Sequence, residues 1–121
     1  MPLVIVTAKR GLLRNGSRQS LGEHLANVVA GALSCDDEGG VLSSDDIEVR
    51  FQDVSPHTYN AKPFAIEIFA NDYPSRRANL ADRTARIANN VRNARSVPRS
   101  VVKGGGGFVW VLLGTGGFVE L

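Results

Sequence analysis

The sequence predicts an α/β fold, an α+β sandwich in which two β-α-β units form one four-stranded mixed sheet with two helices on one face. Two observations predict it. The order strand, helix, strand occurs twice along the 121 residues, and the two halves, 1–61 and 62–121, are nearly equal in length. A chain of this length with 43% hydrophobic residues buries one sizeable core. We therefore expect a single domain built from a pseudo-repeat.

The first unit begins with the apolar run Pro2–Val6, which predicts a strand. After a turn-rich stretch, apolar residues recur at helical spacing, namely Leu21, Leu25, Val28, Val29 and Ala32. A polar, glycine-rich loop over Cys35–Asp46 then leads to Ile47–Gln52, where apolar and polar residues alternate as in a half-buried strand. These segments make one β-α-β unit.

The second unit repeats this order. Lys62–Phe69 is again a proline followed by a strand pattern, and a loop at Asn71–Ser75 leads into a helix. The apolar stripe of that helix comprises Leu80, Thr84, Ile87, Val91 and Ala94. Pro98 and four consecutive glycines end it, and Phe108–Leu113 is the last strand.

The handedness of the two units predicts how the layers are arranged. Crossovers between parallel strands are right-handed, so both helices lie on the same face of the sheet. The opposite, partly apolar face is then left bare. Association of several subunits through their sheets would cover it, so we expect a homo-oligomer.

Composition narrows the class of protein. No apolar run approaches the ~20 residues that cross a bilayer, and the N-terminus lacks the basic-then-apolar plan of a signal peptide. We therefore expect a cytoplasmic protein with no membrane contact. Cys35 is the only cysteine, and no cysteine or histidine spacing is typical of a metal site. Neither a metal nor an organic cofactor is implied.

Positive charge is concentrated in one segment. The net charge is only +2, yet seven arginines lie between positions 76 and 99 against one acid, Asp82. Such a stripe attracts anions. No aromatic residues interleave for base stacking, and the glycines at 104–107 lack the Lys-Ser/Thr of a phosphate loop. We expect no nucleic-acid partner and interpret the outer arginines as a solvated helix face.

Pro2 is the residue that points to chemistry. It directly follows Met1, and a small second residue favours removal of the initiator methionine. Removal leaves the secondary amine of proline at the start of a strand. A free α-amino group titrates near ~7.7–8.0, so Pro2 would act as an acid, a base or a nucleophile near neutrality. Retention of Met1 would remove the basic lone pair, and with it this chemistry.

An N-terminal proline that opens a duplicated β-α-β domain resembles the tautomerase superfamily, and here the resemblance covers essentially the whole chain. Three segments are similar, in the same order, to the cis-3-chloroacrylic acid dehalogenase group, namely Val49–Asp53, Ser75–Leu80 and Val109–Gly114. The resemblance implies a tautomerase/MIF-like fold and a homotrimer. It also implies a small carboxylate substrate bound beside the proline amine.

Further site residues are implied by the same resemblance. Arg76 aligns best with an arginine that binds the substrate carboxylate, and Arg77 is adjacent, so which of the two faces the pocket stays open. A guanidinium pairs bidentately with a carboxylate. Phe118–Glu120 resembles the run that carries a water-activating glutamate, which makes Glu120 the second catalytic candidate beside Pro2. In such a mechanism Glu120 would activate water as the general base, and Pro2 would donate a proton as the general acid.

The chain also departs from the dehalogenase group. Leu112 stands where that group has a tyrosine, Tyr73 stands near an expected second arginine, and His24 is out of register with a pocket histidine. We predict an enzyme acting on a small unsaturated or 2-oxo carboxylic acid, by keto-enol tautomerisation or by hydration and dehalogenation. The alternatives are decarboxylation, as in the malonate semialdehyde decarboxylase group, and a non-catalytic anion-binding module on the same fold.

Overall fold

The computed structural model describes residues 2–37, 39–115, 119 and 121. Its four strands are β1 (Leu3–Ala8), β2 (Glu48–Asp53), β3 (Phe64–Asn71) and β4 (Gly107–Gly114), and they form one sheet in the order β2-β1-β3-β4. β1 is parallel to β2 and antiparallel to β3, and β3 is parallel to β4. The predicted mixed sheet with a duplicated β-α-β order is confirmed.

Two long helices make the crossovers. Helix α1 (Asn15–Leu33) connects β1 to β2, and helix α3 (Leu80–Asn93) lies between β3 and β4. Both were predicted from apolar residues at helical spacing. None of the helices in the described parts of the chain is long and apolar enough to cross a membrane.

Two short helices were not predicted. Helix α2 (Pro74–Ala78) precedes α3, where the sequence predicted that a loop at Asn71–Ser75 leads directly into the long helix. Helix α4 (Arg99–Lys103) follows α3, where the sequence predicted that Pro98 and the glycines end the helix. Pro74 occupies the first helical position of α2, and Pro98 directly precedes α4. Proline fixes a φ near −65° and lacks the N–H that a first turn leaves unpaired, so it starts a helix as readily as it ends one.

The core lies between the helices and one face of the sheet. Alternate residues of β1 and β3 point into it, because successive side chains in a strand point to opposite faces. Val4, Val6, Ile66, Ile68, Leu21, Leu25, Val29 and Ile87 are fully buried there. Both predicted helical stripes therefore face the sheet.

No helix of residues 2–37 or 39–115 lies on the other face of the sheet. Large apolar side chains lie on it, with Phe69, Phe108 and Trp110 exposed by 38%, 43% and 55%. Their neighbours Leu3 and Ile5 on β1 are half-buried. The predicted arrangement, with helices on a single face, is confirmed, and the result is an open apolar sheet face.

Candidate active site

Pro2 lies at the end of the sheet where β1 and β2 begin and β3 and β4 end, and we call this end the Pro2 edge. It is buried directly before β1, and its carbonyl accepts a hydrogen bond from the backbone N–H of Glu48 at 3.2 Å. Leu3 pairs with Phe69 in the antiparallel ladder, so β1 begins beside the end of β3. Because β4 is parallel to β3, its end reaches the same edge.

A cavity of about 310 Å³ lies at this edge and is lined by Asn71, Asp72, Tyr73, Gly114 and Thr115. The backbone N–H of Asp72 donates to the carbonyl of Gly114 at 3.0 Å, which extends the pairing of β3 and β4 up to the cavity. Backbone and side-chain polar groups therefore surround a space suited to a small organic acid.

Two further cavities lie elsewhere. One of about 190 Å³ is lined mainly by apolar residues of α3, α4 and the first part of β4. Another, of about 410 Å³, lies on the open sheet face toward the ends of β1 and β2. Neither is lined by residues at the beginning of β1. The 310 Å³ cavity lies at the same end of the sheet as Pro2, although Pro2 is not among the residues that line it.

Arg76 is the most deeply buried charged residue in the part of the chain that the structure describes, with 1% of its surface exposed. Its guanidinium donates from Nε to the carbonyl of Leu33 at 2.8 Å, from Nη1 to that of Asn71 at 2.8 Å and from Nη2 to that of Gly40 at 3.4 Å. It also lies 4.9 Å from the centre of the Tyr73 ring. Three of its five N–H groups are thus occupied by backbone oxygens.

Arg77 lies in a different environment. Its side chain is 62% exposed, and Nη1 donates to Oδ2 of Asp72 at 3.0 Å. The Asp72 side chain is only 17% exposed and lines the cavity. Arg77 therefore presents an accessible guanidinium that is paired with a carboxylate lining the cavity.

Oδ1 of Asp72 differs from Oδ2. It is shielded from solvent and has no hydrogen-bond partner among the residues that the structure describes. A buried carboxylate oxygen without a donor is unfavourable, and such groups in folded proteins call for an explanation. Sequence reasoning missed Asp72. Its only signal was an acidic residue directly after β3, the strand that ends beside the beginning of β1.

The loop after α1 is fastened to the cavity wall. Asp37 accepts a hydrogen bond from the hydroxyl of Ser75 at 2.8 Å, which ties the loop to the first turn of α2. Gly39 has a φ of 76°, and a Cβ at that position would lie 2.9 Å from the hydroxyl of Tyr73. The absence of a side chain at Gly39 is therefore what lets the Tyr73 ring approach the loop.

Other arginines of the stripe bind the end of α1. Arg83 donates from Nη1 to the carbonyls of Ala32 at 2.9 Å and Ser34 at 2.8 Å, and Arg86 donates to that of Gly31 at 3.3 Å. Together with Arg76 they bind four consecutive carbonyls that the helix itself leaves open. The sequence interpretation of these arginines as a solvated face was therefore incomplete.

The remaining sequence candidates fall into two groups. Glu120 lies outside the described residues, so its catalytic role stays a prediction. His24 lies between α1 and α3, where its Nε2 is 3.4 Å from the carbonyl of Asn90. Across residues 2–37 and 39–115, no group of three or more His, Cys, Asp or Glu side chains is placed to hold a metal ion.

Comparison with known proteins gives a clear result for the fold only. No family model and no curated protein sequence matches the chain. Among solved structures, a fused 4-OT protein described as an asymmetric trimer is 11% identical with a TM-score of 0.64, covering 98% of this chain and 91% of that one. The MIF-like protein of Entamoeba histolytica is 10% identical with a TM-score of 0.61, covering 98% and 96%.

A third structure bears on the predicted subgroup. N1, described as a member of the cis-3-chloroacrylic acid dehalogenase family, is 15% identical with a TM-score of 0.56, covering 94% of this chain and 76% of that one. All three share the duplicated β-α-β sheet over nearly the whole of this chain. The predicted resemblance is thereby confirmed at the level of architecture: the chain has the fold of the tautomerase superfamily.

Proposed function

We propose that the chain is an enzyme that uses the amine of Pro2, after removal of Met1, as a general acid or base on a small unsaturated or 2-oxo carboxylic acid. One observation carries the proposal. Pro2 is buried at the end of the sheet that also holds a small cavity, and the accessible guanidinium of Arg77 is paired with Asp72, one of the residues that line this cavity. The fold supports the proposal because structural neighbours include an enzyme-family member of this kind.

The chemistry needs an anion site beside a proton donor. A guanidinium binds a carboxylate through two parallel hydrogen bonds, which fixes its orientation and withdraws electron density from the adjacent double bond. The exposed face of Arg77 supplies such a site. A substrate held there lies next to the Pro2 edge, where a protonated amine delivers a proton to carbon and a neutral amine removes one.

Arg76 is assigned a smaller share of the binding. Three of its N–H groups are engaged by carbonyls, which leaves one on each terminal nitrogen for a ligand. Its burial makes it a fixed positive charge behind the cavity wall. Arg76 then attracts the substrate carboxylate electrostatically, while Arg77 makes the direct contact.

Glu120 is proposed to decide between two reactions. With this carboxylate in the pocket as general base, water adds to the activated double bond, and the reaction is hydration or dehalogenation. Without it, proton transfer between carbon and oxygen is the simpler course. Glu120→Gln is expected to abolish hydration of a haloacrylate while leaving tautomerisation of phenylenolpyruvate intact.

The open sheet face supports a homotrimer. Phe69, Phe108 and Trp110 expose an apolar surface of the kind that association covers. One neighbouring structure is described as a trimer. Sedimentation of the wild-type chain and of Trp110→Asp tests this, with a trimer expected for the first and dissociation for the second.

The decisive experiment compares two prolines. Intact-mass spectrometry first establishes that the purified protein begins at Pro2. Pro2→Ala is then expected to lose turnover of phenylenolpyruvate or a haloacrylate while keeping the wild-type oligomeric state. Pro56→Ala is the matched control, because Pro56 is exposed in the loop that follows β2, at the other end of the sheet.

Each outcome has a definite meaning. Full activity of Pro2→Ala, or a mature chain that retains Met1, contradicts the proposal. Release of carbon dioxide from a 3-oxo acid, without turnover of the other two substrates, identifies a decarboxylase instead. Binding of small carboxylates with no turnover at all identifies a non-catalytic anion-binding module.

A further inference from the structure

We infer that the chain has a second binding site, away from the Pro2 edge, that takes a free medium-chain carboxylate. The site is the cavity of about 190 Å³ between α3, α4 and the beginning of β4, which we call the α3–α4 cleft. It lies where β3 and β4 begin, whereas both strands end at the Pro2 edge. No described residue lines both this cleft and the cavity at the Pro2 edge. The inference therefore goes beyond the proposed function and does not rest on the chemistry of Pro2.

The α3–α4 cleft has an apolar interior. Val91, Val97 and Val101 are buried in its wall, and Phe64 lines it from β3. Among the described residues that line it, only Arg92 has a polar side chain. An apolar cavity of ~150 Å³ holds one benzene molecule, so a cleft of about 190 Å³ suits a hydrocarbon group of about six to eight carbon atoms.

Backbone hydrogen bonds fix the walls of the cleft. The carbonyl of Val101 accepts from the N–H of Gly106 at 3.1 Å, and the carbonyl of Gly106 accepts from the N–H of Phe64 at 3.2 Å, so the loop after α4 is tied to both α4 and β3. A Cβ at Gly107 would lie 3.2 Å from Cδ1 of Phe64 and 3.3 Å from Cγ1 of Val101. Because Gly107 has no side chain, these apolar atoms stay open to the cleft. A ligand that fills it gives them the dispersion contacts that packed interiors normally have.

Arg92 gives the cleft a preference for anions. It lies in the last turn of α3, lines the cleft and is exposed, so it lies where the cleft meets solvent. Its Nη1 donates to Oδ1 of Asn89 at 2.9 Å, which is an uncharged partner. Within the described part of the chain, Arg92 forms no salt bridge. Its guanidinium is therefore available to a ligand carboxylate through charge-assisted hydrogen bonds.

The surroundings of the cleft strengthen this preference. Between positions 83 and 119 the chain has six cationic residues and no Asp or Glu. Arg95, Arg99 and Lys103 are exposed and lie within two residues of cleft-lining positions in the sequence. Their positive potential attracts an anion and disfavours an ammonium group. An apolar interior with a cationic rim thus specifies a hydrocarbon tail joined to a carboxylate, and a cleft of this volume takes one such tail, which favours a free acid over a lipid bilayer.

Three probes test the class of ligand on the wild-type protein in its own oligomeric state. Octanoate has a tail of suitable length, butanoate has a shorter one, and octylammonium has a long tail with the opposite charge. Titration followed by amide NMR shifts is expected to show octanoate binding about a hundredfold more tightly than butanoate, because four methylene groups fewer are buried. It should also bind more tightly than octylammonium, with the largest shifts over residues 97–107. No octanoate binding, equal binding of the three, or shifts confined to the open sheet face overturns the inference.

Filling the cleft tests where the tail binds. Ala88 lines the cleft from α3, so Ala88→Phe is expected to weaken octanoate binding about tenfold or more. Ala85→Phe is the matched control and should leave binding unchanged, because Ala85 is exposed on the same helix and does not line the cleft. If Ala88→Phe loses cooperative unfolding, Val102→Phe takes its place, since Val102 lines the same space from α4. Octanoate binding that survives filling overturns the inference.

A second pair of variants tests the anion contact. Arg92→Gln keeps a polar side chain without the charge, and it is expected to weaken octanoate about threefold to tenfold while leaving octylammonium no weaker. Arg95→Gln removes the same charge from an exposed residue that does not line the cleft, so octanoate binding should change less than about twofold. Equal losses in the two variants would indicate diffuse attraction instead of a site, and would overturn the inference.

Discussion

Arg76 and Arg77 are adjacent in the sequence, yet they occupy opposite environments. Arg76 is buried and donates to three backbone carbonyls, whereas Arg77 is exposed and is paired with the Asp72 side chain. Consecutive positions of a helix point about 100° apart, so one side chain of the pair faces the interior when the other faces solvent. Two arginines that are adjacent in the sequence can therefore have different roles.

The comparison shows why the guanidinium of Arg76 is buried: it supplies a hydrogen-bond donor to the end of α1. The last turn of α1 contains no basic residue, and the carbonyls from Gly31 to Ser34 have no donors within that helix. Arg76, Arg83 and Arg86 supply donors from α2 and α3. The positive charges of these arginines also interact favourably with the negative, C-terminal end of the α1 dipole. The buried part of the arginine stripe thus fastens the two halves of the chain together.

The largest expected effect of breaking this arrangement is on stability. Arg76→Met removes three hydrogen bonds to backbone carbonyls from a buried site, and we expect the free energy of unfolding to fall by about 3–5 kcal/mol. Arg77→Met removes one exposed ion pair and should cost less than about 1 kcal/mol. Urea unfolding at one fixed protein concentration measures both. Equal losses for the two variants would contradict the distinction.

The next effect is on substrate binding. Arg77→Met is expected to raise the KM for a carboxylate substrate about tenfold to a hundredfold, because a charge-assisted contact is lost. Arg92→Met is the control, since Arg92 is exposed and, among the described residues, bonds to Asn89 of its own helix at 2.9 Å. An unchanged KM for Arg77→Met would mean that Arg76, and not Arg77, binds the substrate carboxylate.

A smaller effect is expected at the end of α1. Arg83→Met removes two hydrogen bonds to helix carbonyls, and we expect a loss of about 1–3 kcal/mol, below that for Arg76→Met. Amide hydrogen exchange over the last turn of α1 should quicken while the strands stay protected. Uniform loss of protection across the chain would show that Arg83 has no local role.

The smallest effect is expected for the cation–π contact between Arg76 and Tyr73. The guanidinium lies 4.9 Å from the centre of the Tyr73 ring. A double-mutant cycle of Arg76→Met and Tyr73→Leu should give a coupling energy of about 0.5–2 kcal/mol. Additive effects of the two substitutions would mean that ring and cation do not stabilise one another.

Much of the fold could be predicted from the sequence. Strands and long helices repeat at fixed periods, so the stripe from Leu21 to Ala32 and the alternation in Ile47–Gln52 identify their elements without tertiary information. The short helices α2 and α4 could not be predicted, because one turn carries no period. Their starts depend on Pro74 and Pro98, which are equally typical of a helix end.

The candidate site was less predictable. Pro2 stands out because its chemistry depends on position in the chain. The roles of Arg76 and Arg77 could not be separated, since burial of one depends on carbonyls of α1 more than forty residues earlier in the chain. Asp72 was missed for a similar reason. An orphan carboxylate oxygen is a property of packing, and nothing in the local sequence marks it.

The central claim, that the amine of Pro2 is the reacting group, is tested most directly by covalent labelling. Bromopyruvate is a small 2-oxo carboxylate with a bromide leaving group, so a bound molecule is attacked by the proline nitrogen, which displaces bromide. Peptide mapping by mass spectrometry is expected to find one label on Pro2, formed about tenfold or more slowly in Arg77→Met because the carboxylate is no longer held. Labelling that spares Pro2 and falls on Cys35 or on lysines would contradict the account.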